Sequence, residues 1–103
     1  MFKTDLLKDK RILITGGGTG LGKGMAQCFL ELGAEVHICG RREEVLEQTA
    51  AELSAKGSIH AIPCDVRSID AVEAMIDSMW SEAPLDILVN NAAGNFKIGR
   101  AHV

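Results

Sequence analysis

Short apolar runs and longer stretches of helical spacing take turns along the chain. Arg11-Ile12-Leu13-Ile14-Thr15 is a compact apolar run that ends in glycines, the pattern of a buried strand. From Gly20 to Leu32, apolar side chains recur at Leu21, Met25, Cys28, Phe29 and Leu32, and Gly33 stands where a helix stops. A second strand is expected over Glu35–Cys39. A second helix is expected over Glu43–Lys56, with Val45, Leu46, Thr49, Ala50 and Leu53 on one face and Gly57 as its stop. Ile59–Cys64 reads as a third strand. Ser68 is placed to cap a third helix whose Ile69, Val72, Met75, Ile76 and Met79 point inward. Leu85–Val89 reads as a fourth strand.

Strands that alternate with helices of this length build βαβ units around a parallel sheet. Right-handed crossovers then place helices on both faces. The expected fold class is α/β: part of a Rossmann-type, doubly wound parallel sheet of about four strands and three helices, in three layers. The first strand belongs in the middle, with the second and third on one side and the fourth on the other. The order reverses beside the first strand, and ligands of such sheets bind there, outside the carboxyl ends.

Composition narrows the picture. The chain has 103 residues, 47 % of them apolar, enough for one packed domain. Its net charge is −3 and it holds no basic tract, so neither nucleic acid nor an anionic membrane is an expected partner. No apolar run nears the roughly 20 residues of a membrane helix. Met1-Phe2-Lys3-Thr4-Asp5 lacks the apolar centre of a signal peptide, and the expected location is the cytoplasm. Cys28, Cys39 and Cys64 are scattered and form no C-x-x-C pair. They read as small core-filling residues, and no metal site is expected.

The candidate chemistry sits at the strand ends. Thr15-Gly16-Gly17-Gly18-Thr19-Gly20-Leu21-Gly22 links the first strand to the first helix. A tight turn there needs residues without a Cβ, and a diphosphate must approach the backbone closely. The helix start offers unpaired N–H groups and the positive end of its dipole. Gly22 lets the helix pack closely on the sheet. NAD-binding domains place a carboxylate at the end of the second strand for the ribose hydroxyls. Here the residues are Cys39-Gly40-Arg41-Arg42. Arginine's planar fork suits a phosphate, so the 2′-phosphate of NADP fits better, with Arg41 the first choice and Arg42 the second. After the third strand, Asp65 could accept from the adenine amino group or act as a surface carboxylate ahead of Ser68. After the fourth strand, Asn90-Asn91-Ala92-Ala93-Gly94 leaves room for a ribose, and its amides could tie strand ends together.

Taken together, these segments resemble the short-chain dehydrogenase/reductase family over residues 10–96. That family carries T-G-x-x-x-G-x-G after its first strand, an Asp-Val pair after the third and N-N-A-G after the fourth. A narrower resemblance, to the 2,4-dienoyl-CoA reductase branch, rests on Gly16 to Met25, on Cys64-Asp65-Val66-Arg67 and on Asn90 to Phe96. Ala93 departs from the wider family's glycine and agrees with the branch. The resemblance implies NADP(H) held by Gly16, Gly17, Gly18, Thr19, Gly20, Leu21, Gly22, Arg41, Arg42, Asp65, Val66, Asn91 and Ala92, with Asp65 on the adenine. It implies an acyl-CoA substrate near Arg67 and Phe96, and hydride transfer to a conjugated thioester. A reductase of 3-oxoacyl thioesters or a non-catalytic NADP-binding module are the alternatives.

The family's catalytic tyrosine and lysine are expected beyond residue 103, and the chain contains no tyrosine at all. Residues 1–97 are therefore expected to be the N-terminal part of a dinucleotide-binding domain, inactive alone, whose complete form is a homotetramer. Resemblance is lost after Phe96, and Ile98-Gly99-Arg100-Ala101-His102-Val103 is expected to be a non-native tail, in the manner of a translated sequencing adapter.

Overall fold

The computed structural model describes residues 6–16 and 20–91. Four strands form one parallel sheet: β1 (Arg11–Thr15), β2 (Glu35–Gly40), β3 (Ile59–Pro63) and β4 (Ile87–Asn90), in the order β3-β2-β1-β4. Three helices connect them: α1 (Gly20–Glu31), α2 (Glu43–Leu53) and α3 (Ile69–Glu82). The order is the expected one, with β1 central and the reversal between β1 and β4. Ala92, Phe96 and residues 98–103 lie outside the described residues, as do Gly17, Gly18 and Thr19.

The sheet divides the core in two. On one face Ile12, Ile14, Val36 and Ile38 pack against Ala26 and Leu30 of α1 and Leu46 and Leu53 of α2. On the other, Leu13, Cys39 and Leu88 meet Val72, Met75, Ile76 and Met79 of α3. These are three layers, and β1 is fully buried because both of its faces are covered. Each such aliphatic side chain contributes about 1.5–3 kcal/mol of burial free energy.

Several expected details shift. The buried stripe of α1 is Gly22, Ala26 and Leu30, rotated from the expected one, so Leu21 and Cys28 are exposed. Gly22 and Ala26 carry too little side chain to register as hydrophobic positions, yet they allow the helix axis to approach the sheet. Ile69, the first residue of α3, is also exposed rather than inward-facing. The last turn of the second helix tightens to a 3₁₀ turn over Ser54–Lys56. The fourth strand starts at Ile87 rather than Leu85. Leu85 still enters the core, while the Asp86 carboxylate accepts the Arg11 backbone N–H at 2.9 Å where the ladder would begin.

α3 is held at both ends. Ser68 caps its start, the side-chain oxygen accepting from the Ala71 N–H at 3.2 Å. At its end the Arg11 guanidinium donates to the carbonyls of Met79, at 3.0 Å, and Ala83. A cation there answers the negative end of the helix dipole. Arg11 is 8 % exposed and also pairs with Glu35 at 3.1 Å. It had read as no more than the first residue of a strand.

Candidate functional site

Because all four strands run the same way, their carboxyl ends share one edge. Register aligns Thr15 with Cys39 and with Asn90, and Gly40 with Pro63. The glycine loop, Arg41, Asp65 and Asn91 all leave from this edge.

The loop begins with backbone that only glycine enters freely. Gly16 has φ +70° and Gly20 has φ +59°. A Cβ built on Gly20 meets no atom of the described residues within 4 Å. The first turn of this 12-residue helix carries no acidic residue. An anion approaching its N–H groups therefore meets no carboxylate of that turn. Gly22, within the first turn, is buried.

Hydrogen bonds anchor the loop to the fourth strand. The Thr15 hydroxyl donates to Asn90 Oδ1 at 3.1 Å and accepts from the Asn91 N–H at 2.9 Å. Asn91 Nδ2 donates to the Gly16 carbonyl at 3.3 Å, and the Gly16 N–H donates to Cys39 O at 2.8 Å. Thr15 is fully buried, so its hydroxyl needs these partners. Its role as the tie between β1 and β4 was missed in the sequence. The only signal was a hydroxyl at the last position of an otherwise apolar strand.

Arg41 and Arg42 are both exposed, and Arg42 immediately precedes α2 without capping it through its side chain. Two cations thus stand at the positive end of a helix dipole, an arrangement that attracts an anion. Glu43 and Glu44 in the first turn offset part of that charge.

Asp65 and Arg67 face each other. Asp65 Oδ1 accepts from the Arg67 backbone N–H at 3.0 Å and from its Nε at 3.1 Å, while Oδ2 accepts from an Arg67 terminal nitrogen at 3.3 Å. These bonds hold the Asp65 carboxyl below its ordinary value, and the Arg41 guanidinium adds a smaller pull. Arg67, expected near a substrate, is therefore brought to the residue expected at the adenine. Val66 is half-buried against the α3 side of the core.

Two of the thiols are poor nucleophiles: burial pushes Cys39 up to about 12 and raises Cys64. No helix among the described residues is long and apolar enough to cross a membrane.

The family model described as short chain dehydrogenase matches residues 10–102. The chain belongs to this short-chain dehydrogenase family. It is 47 % identical over 95 residues to a Caenorhabditis elegans protein named "Probable 2,4-dienoyl-CoA reductase 3", covering 87 % of this chain and 30 % of that protein. It is 46 % identical over 81 residues to the rhamnolipids biosynthesis 3-oxoacyl-[acyl-carrier-protein] reductase of Pseudomonas aeruginosa, covering 78 % of this chain and 32 % of that one. Among solved structures, the Pseudomonas aeruginosa RhlG/NADP active-site complex superposes with a TM-score of 0.81 at 41 % identity, over 91 % of this chain and 38 % of that one. The short-chain dehydrogenase segment seen here spans about a third of the length of the curated relatives it matches.

Proposed function

We propose that this chain is the NADP(H)-binding part of a short-chain oxidoreductase that reduces an unsaturated acyl thioester, with an enoyl- or 2,4-dienoyl-CoA as first choice. One observation carries the cofactor reading. β2 ends in Gly40, where a carboxylate would serve a ribose, and two exposed guanidiniums follow it at the start of α2. When bound, NADPH supplies the hydride. The chain's own residues bind and orient it. Amides of Gly16 to Leu21 take the diphosphate, and Gly22 lets α1 pack closely beneath it. Arg41, seconded by Arg42, takes the 2′-phosphate. Asp65 and Val66 take the adenine, and Asn91 and Ala92 stand beside the ribose. Arg67 and Phe96 belong at the acyl-CoA. Proton transfer by tyrosine and lysine falls to residues outside this chain, which is expected to be inactive by itself. The complete protein is proposed to be a cytoplasmic homotetramer.

The kinship to a 3-oxoacyl-[acyl-carrier-protein] reductase supports a second reading, reduction of a carbonyl rather than a conjugated double bond. The two separate when the longer gene product is offered each thioester with NADPH. Cofactor binding without turnover of either would mark a non-catalytic module.

The cofactor reading is tested by calorimetric titration of the folded chain with NADPH and with NADH. One charge-assisted phosphate contact is worth about 1.5–3 kcal/mol, so NADPH should bind roughly ten- to a hundredfold tighter. Arg41→Ala should remove most of that difference. Equal or tighter binding of NADH overturns the proposal.

A further inference from the structure

Toward the amino ends of the strands, away from the glycine loop, lies a second group of donor side chains. Register sets His37 of β2 directly beside His60 of β3, and their rings stack with centroids 4.7 Å apart. Glu35, two residues before His37, shares its face of the strand. These three side chains line a groove of about 890 Å³ between α3 and edge strand β3, walled by Met75, Ser78 and Met79.

We propose that Glu35, His37 and His60 form a binding site for a divalent transition metal of the zinc type, with its open coordination positions facing the groove. Their donor atoms all lie within 4.8 Å of one another, and His37 Nε2 is 2.7 Å from Glu35 Oε2. Donors about 2.0–2.2 Å from a tetrahedral metal stand roughly 3.3 Å apart. The His37–Glu35 pair has to open slightly and His60 to turn inward; His60 is exposed, held through Nε2 by the Ser58 hydroxyl at 3.1 Å. The His37 side chain is 9 % exposed, and its Nδ1 has no hydrogen-bond partner.

Arg11 is the competing cation. Its Nε uses the same Glu35 oxygen as His37, which leaves Oε1 without a hydrogen bond among the described residues. The rest of the guanidinium is held back by Met79 O, Ala83 O and Glu82. Two imidazoles with one carboxylate select zinc, cobalt or nickel over magnesium or calcium, which prefer oxygen alone. No cysteine takes part, so the cysteine spacing that argued against a metal in the sequence has no bearing on it.

The test is titration of the folded chain with Zn²⁺ by calorimetry and with Co²⁺ by visible absorption. One ion per chain is expected, with no response to Mg²⁺. His60→Gln, at an exposed position, should weaken Zn²⁺ binding at least tenfold with unchanged circular dichroism, and Glu35→Gln should do likewise. Cys28→Ser and His102→Gln should leave it unchanged. The proposal is overturned by failure to bind either metal, by affinity that survives His60→Gln, or by a thiolate-to-cobalt charge-transfer band.

Discussion

A buried histidine makes its protonation a matter of stability. Burial is the main reason that His37 sits below the ordinary histidine value of 6.5; the Glu35 hydrogen bond opposes this, and His60 and Arg11 push the same way as burial. In the unfolded chain the group is near 6.5, so there the unfolded state binds more protons than the folded one as the pH falls. Stability is then complete above about pH 6.5 and declines on acidification through the lower folded value. Calorimetric melting temperatures across this range should fall with pH, and the slope should diminish in His37→Leu. An unchanged slope would mean that another group carries it. Gly20 makes a second point at this scale. A Cβ there meets none of the described residues, and Gly20→Ala is penalised by its φ of +59°, by roughly 1–2 kcal/mol in a denaturant unfolding series. The glycine loop was legible as a motif. The conformations that require two of its glycines were not, because backbone dihedrals belong to the folded turn.

Among the elements, α3 was the best anticipated, since its cap and four of its five expected inward residues, Val72, Met75, Ile76 and Met79, agree with the pattern, Ile69 alone being exposed. Ser68→Ala removes the oxygen that accepts from Ala71 and should cost about 1 kcal/mol, read as a lower denaturant midpoint with unchanged slope. Ser68→Asp should retain most of that stability. α1 was the least well anticipated. Its contact face is made of glycine and alanine with a single leucine, and hydrophobic periodicity favours large side chains over the small ones that allow close approach. Arg11 belongs to the same lesson. Its partners Met79 and Ala83 are far along the chain, so nothing local distinguishes this arginine from a solvated one.

For the molecule as a whole, the sheet's edges matter most. Among the described residues β4 pairs with β1 alone and β3 with β2 alone. An edge presents unpaired N–H and C=O groups to other chains. The isolated chain is therefore expected to self-associate as concentration rises, with the mean sedimentation coefficient increasing in velocity runs. A single monomeric boundary throughout would show that the edges are protected.

Apolar periodicity, glycine punctuation and a cap residue were enough to specify the element types, the parallel sheet with its strand order, and a glycine loop opening onto a helix. Those are local or topological constraints, carried by neighbours in the chain. Strand register is different. It sets Thr15 against Asn90, holds Asn91 over Gly16 and lays His37 beside His60. Such meetings join residues many positions apart. They exist only once the sheet has closed, because no local preference encodes which distant side chain will come within bonding distance.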